Sequence, residues 1–266
     1  MAADDREPAE AAPGRADGAG PRDSPGNRGD SGHRGNLHER LRDQVGQDIV
    51  AGRLAAGTII KAEDLRARYD VSLSVVREVV RVLESLGLLQ PIRRVGLVVL
   101  AMSEWMLLDP LVIRWRMTEA PARQLRSLTE LRVAIEPEAA GLAAQHAPAD
   151  VAEEIMGLAA RMRASGRQGD VESFLEADVA FHRAVLGAGG NELFAAFDTV
   201  IGEILAGRTE AGLMPKFPHP DALQWHFDVA DAIGGQDADR AREAMAKIVA
   251  KADAEMGSVW ADEPRH

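Results

Sequence analysis

The 266-residue chain contains no cysteine, which excludes disulfides and thiolate metal sites. Aromatic residues make up only 4% of it, with a single tyrosine, while Ala, Leu and Val are abundant, and this composition favours helices over β-sandwiches. No apolar run approaches the roughly 18 residues that a membrane-spanning helix needs, and the N-terminus has no signal-peptide pattern. These absences predict a soluble, cytoplasmic protein without membrane contact.

The N-terminal segment lacks large apolar side chains. Residues 2–35 contain no Val, Ile, Leu, Phe, Trp or Tyr and are dense in Gly, Pro, Ala, Asp and Arg. Such a segment cannot bury enough apolar surface to offset the entropy lost on ordering the chain. We therefore expect residues 1–35 to form a disordered tail, and residues 258–266 to form a short C-terminal tail.

Charge is unevenly distributed along the chain, whose net charge is −11. Residues 36–100 carry ten Lys/Arg and eight Asp/Glu, whereas residues 101–266 carry 16 and 27. This asymmetry is compatible with a small polyanion-binding module attached to a domain with another task, and ordinary variation between domains also explains it. The length suggests two modest domains.

Residues 36–100 show, in order, the elements of a winged helix-turn-helix. A first helix is indicated by apolar residues that recur every four positions, at Leu37, Leu41, Val45 and Ile49. After a turn and a short extended piece, AEDLRARY indicates a second helix. VSLSVVREVVRVLESLGLL indicates a third, with Ser72 or Ser74 as N-cap and Gly87 as C-terminal stop. LLQPIRRVGLVVL then indicates two short strands with arginines in the turn between them.

This order of elements predicts which residues meet DNA. The second helix of the helix-turn-helix pair enters the major groove, and the basic tip of the hairpin reaches phosphate or the minor groove. A single arginine on a helix is usually only solvated, so the ordered set carries more weight than any member. The candidate DNA-binding residues are Ser72, Ser74, Arg77 and Arg81 on the helix, and Arg93, Arg94 and Gly96 in the wing.

The remainder of the chain reads as helical. Residues 101–120 hold two of the four tryptophans and predict a packed connector, and residues 121–257 predict an all-helical domain. Its first, long helical pattern contains Pro137, which predicts a kink or a break. Further helices are predicted over 149–164, 170–187, 191–208, 220–234 and 237–256. The expected fold class is mainly α: a winged helix-turn-helix followed by an antiparallel bundle of six or seven helices.

Three polar residues share the apolar faces of these predicted helices. Asp178 and His182 lie four residues apart in EADVAFHRAV, and His226 lies in the apolar stripe of ALQWHFDVADAI. A carboxylate with two imidazoles can bind zinc, nickel, iron or manganese. A buried ion pair between Asp178 and His182, with a hydrogen-bonded histidine at 226, explains the same pattern. Non-haem iron oxygenases also use such a set, but usually inside a β-barrel that nothing here indicates, so we expect no enzyme.

Two parts of the chain resemble one known family. DVSLSVVREVVRVLESLGLLQPIRRVGLVV resembles the GntR-type winged-helix transcription regulators, whose recognition segment usually reads V-S-R-x-x-V-R-E-A-L, followed by L-x-x-x-G-L and a wing glycine. LRVAIEPEAAGLAA and EADVAFHRAVLGAGGNELF are similar to the all-helical ligand-binding (FCD) domain of the FadR branch. The resemblance covers residues 37 to about 256, and the connector EWMLLDPLVIRW looks most like that of sugar-acid operon repressors.

The resemblance implies a homodimeric regulator, most often a repressor, that leaves an inverted-repeat DNA operator when a small carboxylate effector binds. An aldonate sugar acid is the first candidate for that effector; lactate, a dicarboxylate or an amino acid is the alternative. The family assigns Asp178, His182 and His226 to a divalent metal site, with zinc as the first candidate. It implies that Arg132, in the R-x-x-x-E element, clamps the effector's carboxylate. Asn191 is a candidate for a hydroxyl contact, with a helix N-cap as its alternative role.

Two positions depart from the family pattern. Leu73 stands where the family usually has an arginine that reads a base, and leucine cannot donate hydrogen bonds to guanine O6 and N7. Either the operator differs from the usual one, or Ser74 and Arg77 carry the readout. Ile248 stands where the family usually has a fourth, histidine, metal ligand. The expected metal site therefore has three protein ligands and an open side.

Overall fold

The computed structural model describes residues 30–257 and 259–261, with side chains from residue 37 onward. Most of the two predicted tails, at residues 1–29, 258 and 262–266, therefore lies outside the described residues, but residues 30–35, which were expected to be disordered, are helical. The helices are α1 (Asp30–Val50), α2 (Ala62–Tyr69), α3 (Leu73–Ser85), α4 (Pro110–Glu119), α5 (Pro121–His146), α6 (Ala149–Gln168), α7 (Val171–Ala188), α8 (Glu192–Ala195), α9 (Asp198–Glu210), α10 (Pro220–Gly234) and α11 (Ala238–Met256), and the strands are β1 (Ile59–Ile60), β2 (Leu89–Ile92) and β3 (Gly96–Val99). This architecture confirms the expected fold class.

The N-terminal module consists of α1 to α3 and one antiparallel sheet. Its strand order is β1-β3-β2, so the hairpin expected from the sequence gains the short strand β1 at one edge. The module's core lies between α1 and α3, because the apolar faces of both helices pack together. Helix α1 begins at Asp30, six residues before the expected start of the module at residue 36.

Helix α4, in the predicted connector, packs on both parts of the molecule. Val112 and Trp115 belong to the core of the N-terminal module, whereas Ile113 belongs to the core that includes α9. The Trp115 ring lies so close to Gly46 of α1 that a Cβ there would be 2.6 Å from it. The Trp115 Nε1–H also donates to Asp43 at 3.2 Å. The connector is therefore a packed helix that contacts both cores.

Helices α5 to α11 form the C-terminal bundle. Helix α5 packs along α7, α10 and α11, and α7 also packs against α6 and α9. Helix α5 continues through Pro137, so the break allowed for at that proline does not occur. The single helix expected over 191–208 is two helices, α8 and α9, because the chain forms a turn at Ala196 and Phe197, where the Phe197 N–H donates to the Phe194 carbonyl three residues back.

Part of the expected C-terminal tail packs on this bundle. Trp260 is buried against Leu125 and Met256, and the Arg126 guanidinium donates to the Trp260 carbonyl. Across the described part of the chain, no helix combines the length and apolar character that crossing a membrane requires.

Candidate functional site

Helix α3 presents one polar face to solvent. Ser72 caps the helix, because its hydroxyl accepts a hydrogen bond from the Val75 backbone N–H at 3.4 Å and lies 2.8 Å from the Ser74 hydroxyl. The opposite face is buried through Val76, Val79 and Leu83. This packing leaves four of the predicted DNA-contacting residues exposed, namely Ser72, Ser74, Arg77 and Arg81.

The arginines of this face differ in their partners. Arg77 forms no ion pair with any described residue. Arg81 pairs with Glu78 at 2.9 Å, but both side chains are exposed, and such a pair is worth less than about 1 kcal/mol. Leu73 is the first residue of α3 and is half-buried. The structure therefore leaves Arg77 as a free cation on the exposed face, beside an apolar side chain at position 73.

The wing presents its two arginines at the β2–β3 turn. Arg93 and Arg94 are exposed, and Arg94 adopts a left-handed φ of 66°. Gly96 has a φ of 136°, and a Cβ there would lie 2.8 Å from the Ile60 carbonyl oxygen. Glycine at this position is thus explained by the approach of β1 to β3, and a DNA contact from its backbone stays a prediction.

A second cluster of polar side chains is buried in the C-terminal bundle. It joins three helices through Arg132 and Glu136 of α5, Asp178 and His182 of α7, and His226 of α10, each at most 5% exposed. The clustering confirms that Asp178, His182 and His226 face the bundle interior, as the periodicity predicts. One ligand atom from each of the three lies within 4.8 Å of the others.

The contacts within this cluster alternate in charge. Arg132 donates to Glu136 through Nε at 2.6 Å and Nη2 at 3.3 Å. His182 lies between two carboxylates, with Nδ1 2.8 Å from Glu136 and Nε2 3.3 Å from Asp178. His226 Nε2 lies 3.6 Å from the same Asp178 oxygen. Each carboxylate is therefore flanked by one nitrogen group from its own helix and one from a neighbouring helix.

These contacts set the protonation states. Burial by itself raises the pKa of Glu136, but the charges of Arg132 and His182 outweigh it and bring the pKa to about 2. Burial likewise opposes ionisation of Asp178, and the imidazoles of His182 and His226 that face it, at 3.3 and 3.6 Å, hold its pKa far below the usual range. Burial lowers the pKa of His182, but Glu136 and Asp178 raise it to about 9. Without a metal ion the cluster is thus a neutral network of two cations and two anions.

The same donor set fits a divalent metal ion. His226 Nδ1 lies 2.7 Å from the Ala222 carbonyl, so its N–H donates there and leaves the lone pair of Nε2 facing Asp178. That buried Nε2 has no hydrogen-bond partner among the described residues. His182 Nδ1 lies 2.8 Å from Glu136, although not aligned for a hydrogen bond, and its Nε2 faces Asp178. A carbonyl or carboxylate on the outer nitrogen is the usual support of a metal-binding histidine.

Arg132 also contacts His182 Nε2, the nitrogen that would bind the metal ion. Its Nη2 lies 3.3 Å from His182 Nε2. An ion bound by Asp178, His182 and His226 would take the lone pair of that nitrogen, so the contact with Arg132 would have to open. One carboxylate and two imidazoles are a ligand set that zinc accepts.

The cluster opens into a small cavity. Helices α9 and α11 form further walls, and the loop between α9 and α10 covers it through Met214, Pro215, Pro218 and His219. The cavity volume is about 60 Å³, below the roughly 300 Å³ at which pockets for organic ligands begin. A ligand larger than a few atoms fits only if this loop or the helix ends move outward.

The other residues predicted for the effector and metal sites differ in whether they line this cavity. Arg132 lines the cavity, although its fork is engaged by Glu136. Ile248 of α11 also lines it and offers no ligand atom. Asn191 is not among the lining residues; its carboxamide oxygen accepts hydrogen bonds from the backbone of Leu193 and Phe194. The structure thus gives Asn191 the helix-capping contact and does not bring it to the cavity.

Three charged lining residues were not predicted from the sequence. They are Arg208 of α9 and, on α11, Lys251 and Glu255. A signal existed for Arg208, because it follows Ile201 and Ile204 at helical spacing and therefore lies on the apolar face of its helix. Lys251 and Glu255 carry no such signal, since exposed charges on a surface helix are common.

Comparison with known proteins identifies the class. The model of the bacterial regulatory proteins of the gntR family matches residues 37–99, and the FCD domain model matches residues 127–251. The chain belongs to the GntR family of transcription regulators and carries an FCD domain. Family members of this kind are DNA-binding regulators rather than enzymes, as the sequence predicts.

Individual relatives agree with this assignment. The chain is 29% identical to the Galactonate operon transcriptional repressor of Escherichia coli (strain K12), over 81% of this chain and 94% of that protein. It is 31% identical to the HTH-type transcriptional regulator YieP of the same organism, over 61% and 71%. A Probable D-xylose utilization operon transcriptional repressor of Paenarthrobacter nicotinovorans is 28% identical, over 82% of this chain and 87% of that protein. Among solved structures, Lar of Listeria monocytogenes shares the fold, with a TM-score of 0.50 at 15% identity over 84% and 97%.

Proposed function

We propose that this protein is a homodimeric repressor of a carbohydrate or sugar-acid catabolic operon, released from its operator by a small carboxylated metabolite. The observation that carries the proposal is the buried Asp178, His182 and His226 set, which opens into a cavity with cationic walls. A DNA-binding module lies in the same chain, and α4 packs against both parts. The two sites are therefore connected by packed structure.

The charge of the metal-loaded cavity favours an anion. Arg132 and Glu136 neutralise each other, so a divalent ion with neutral histidines and Asp178 leaves a net positive charge in a buried site. A bound zinc ion would supply open coordination positions for carboxylate and hydroxyl oxygens. A sugar acid offers both groups on adjacent carbons. One relative is named for a galactonate operon, which supports an aldonate over the alternatives of lactate, a dicarboxylate or an amino acid. Another is named for a D-xylose operon, which supports carbohydrate catabolism in general.

The DNA-binding part of the proposal uses the exposed face of α3 and the wing. We propose that Ser74, Arg77 and Arg81 meet base edges and phosphates in the major groove, and that Arg93 and Arg94 reach the flanking backbone. One module covers only a half-site, so a two-fold symmetric dimer on an inverted repeat is the arrangement that the proposal requires. The working division of the chain is a DNA-binding domain over 36–100, a connector over 101–120 and an effector domain over 121–257.

The experiment is a DNA-release titration with the zinc-loaded full chain. A fluorescent fragment from the region upstream of its own coding sequence is bound at fixed salt, and D-galactonate, D-gluconate, lactate, succinate and an amino acid are added in turn. We expect retention of the fragment, release by a sugar acid, and thermal stabilisation by the same compound, since a ligand that binds the folded state raises its apparent stability. Failure of every acid to release DNA or to stabilise the protein contradicts the proposal.

A light-scattering measurement tests the dimer separately. The mass of the free protein should be twice that of the 28.6 kDa chain, and one dimer should bind each operator. Turnover of the sugar acid by the zinc-loaded protein, without retention of DNA, would favour a metal-dependent enzyme instead.

A further inference from the structure

Arg208 is a buried cation whose charge is poorly compensated. It lies near the C-terminal end of α9, is 5% exposed, and lines the cavity beside the metal-ligand set. Its Nε has no hydrogen-bond partner among the described residues. Burial lowers the pKa of Arg208, and the positive charge of Arg132 lowers it further. An ionised guanidinium in this position is costly without an anion to accept its N–H groups.

The nearest carboxylate does not fill this role. Glu255 lies 3.7 Å from Arg208 Nη2, beyond hydrogen-bond distance, and is 36% exposed. Its other oxygen lies 3.6 Å from Lys251, one turn earlier on α11. Glu255 is thus shared loosely between two cations at the rim of the cavity, and it can move to solvent without breaking a hydrogen bond to Arg208.

Arg132 is in the opposite situation. Its Nε and Nη2 are both engaged by Glu136, and only Nη1 is buried without a partner. Its second pair of N–H groups, on Nη1 and Nη2, could face a carboxylate only after Nη2 leaves His182 Nε2, which lies 3.3 Å away. Of the two buried arginines that line the cavity, Arg132 is already held by hydrogen bonds on its own helix, whereas the Arg208 guanidinium makes none with the described residues and is the more available fork.

We propose that Arg208 is the residue that anchors the effector's carboxylate, and that Glu255 acts as a weak internal competitor which the effector displaces. This inference rests on the proposed function and names the anionic anchor within that site. The ligand class is an organic acid whose carboxylate pairs with Arg208 while a neighbouring oxygen reaches the Asp178, His182 and His226 set. A neutral polyol of the same length lacks the group that Arg208 binds.

The test measures binding of D-galactonate, and of uncharged galactitol as its matched polyol, to the zinc-loaded full chain by calorimetry. The variants are Arg208→Gln, Arg208→Lys and Glu255→Gln, with Arg161→Gln as a control at an exposed position outside the cavity. Zinc content and affinity for operator DNA without acid are measured for each protein. These readouts separate a lost contact from a damaged fold.

We expect Arg208→Gln to weaken galactonate binding by roughly tenfold to a hundredfold, the size of a charged hydrogen-bonded contact, with zinc content unchanged. Arg208→Lys should lose less, because a point charge remains but the fork does not. Glu255→Gln should bind as tightly as the wild type or several-fold tighter, and galactitol should bind none of the proteins measurably.

Two results overturn the assignment while the proposed function stands. One is wild-type affinity for galactonate in Arg208→Gln and Arg208→Lys; the other is an equal loss in Glu255→Gln and Arg208→Gln, which would make the pair structural. A wild type that binds neither galactonate nor any other organic acid of the release panel overturns the proposed function, and the assignment with it.

Discussion

Glu203 of α9 accepts hydrogen bonds from both Nε, at 2.7 Å, and Nη2 of Arg114 on α4. Helix α9 also carries Arg208 in the wall of the cavity, and α4 carries Trp115 in the core of the N-terminal module. A shift of α9 on ligand binding would therefore act directly on the helix that supports the DNA-binding module. This contact transmits the signal only if breaking it changes the coupling free energy between effector binding and DNA binding, which mutation can measure.

Glu203→Gln should reduce the coupling between effector and DNA while each still binds alone. The substitution removes the negative charge of Glu203, with which Arg114 forms an ion pair between α4 and α9. We expect the ratio of DNA affinities without and with saturating D-galactonate to fall by several-fold, within the usual coupling range of about 1–3 kcal/mol. Glu153→Gln, at an exposed position of α6, is the matched control. An unchanged ratio would show that this contact does not transmit the signal.

Arg77→Ala should weaken operator binding by about 1–3 kcal/mol, the usual size of a specific contact to a base edge. The reason is that Arg77 is exposed on the groove-facing side of α3 and is not held by an acidic neighbour among the described residues. Fluorescence anisotropy at matched salt measures the loss, and Arg161→Ala serves as the control. Equal affinity of Arg77→Ala and wild type would remove Arg77 from the interface.

Leu73→Arg should change which operator is preferred. Leu73 opens α3 beside the exposed Ser72 and Ser74, so an arginine there would reach the groove that these serines face. We expect a gain of about 1–3 kcal/mol on operator variants that place guanine at the contacted position, because arginine donates twice to guanine O6 and N7. Selection of bound sequences from a randomised pool measures the preference. Identical preferences in Leu73→Arg and wild type would show that position 73 faces no base.

His182→Ala should abolish stoichiometric zinc and blunt release by the effector, with DNA binding in the absence of effector retained. Removing His182 takes one ligand from the metal set and the central cation from the buried network. Elemental analysis after dialysis gives the zinc content, and His146→Ala, at an exposed end of α5, controls for general loss of a histidine. Undiminished zinc in His182→Ala would place the metal elsewhere.

Ile248→His should tighten zinc binding by about tenfold or more, because it adds a fourth protein ligand, and a third nitrogen, to a tetrahedral ion that otherwise keeps an open position. Ile248 lines the same cavity as the three ligands, on the adjacent helix α11. Competition with a chelator measures the zinc affinity, with Ile248→Val as the volume control. The galactonate affinity of Ile248→His should fall at the same time, because the open position is filled. Zinc affinity equal to wild type would show that position 248 does not face the ion.

Local patterns in the sequence were sufficient for much of this molecule. The spacing of apolar residues determined that α3 buries Val76, Val79 and Leu83, and so which of its polar residues remain exposed. The same spacing placed Asp178 and His182 on the interior face of α7. Features set by long-range packing could not be predicted from such patterns. The split between α8 and α9 and the packing of Trp260 depend on residues distant in sequence.

The sequence by itself determined the order of elements, the family and three polar residues that enter the core, Asp178, His182 and His226, because helical periodicity and capping are local properties of the chain. Only the tertiary structure decided which buried charges meet. Glu136 of α5 lies 2.8 Å from His182 Nδ1 on α7, whereas Arg208 reaches the same cavity from α9 with its nearest carboxylate, Glu255, 3.7 Å away. The relative positions of these helices decide which charges come into contact, because those positions depend on packing contacts between residues far apart in the sequence.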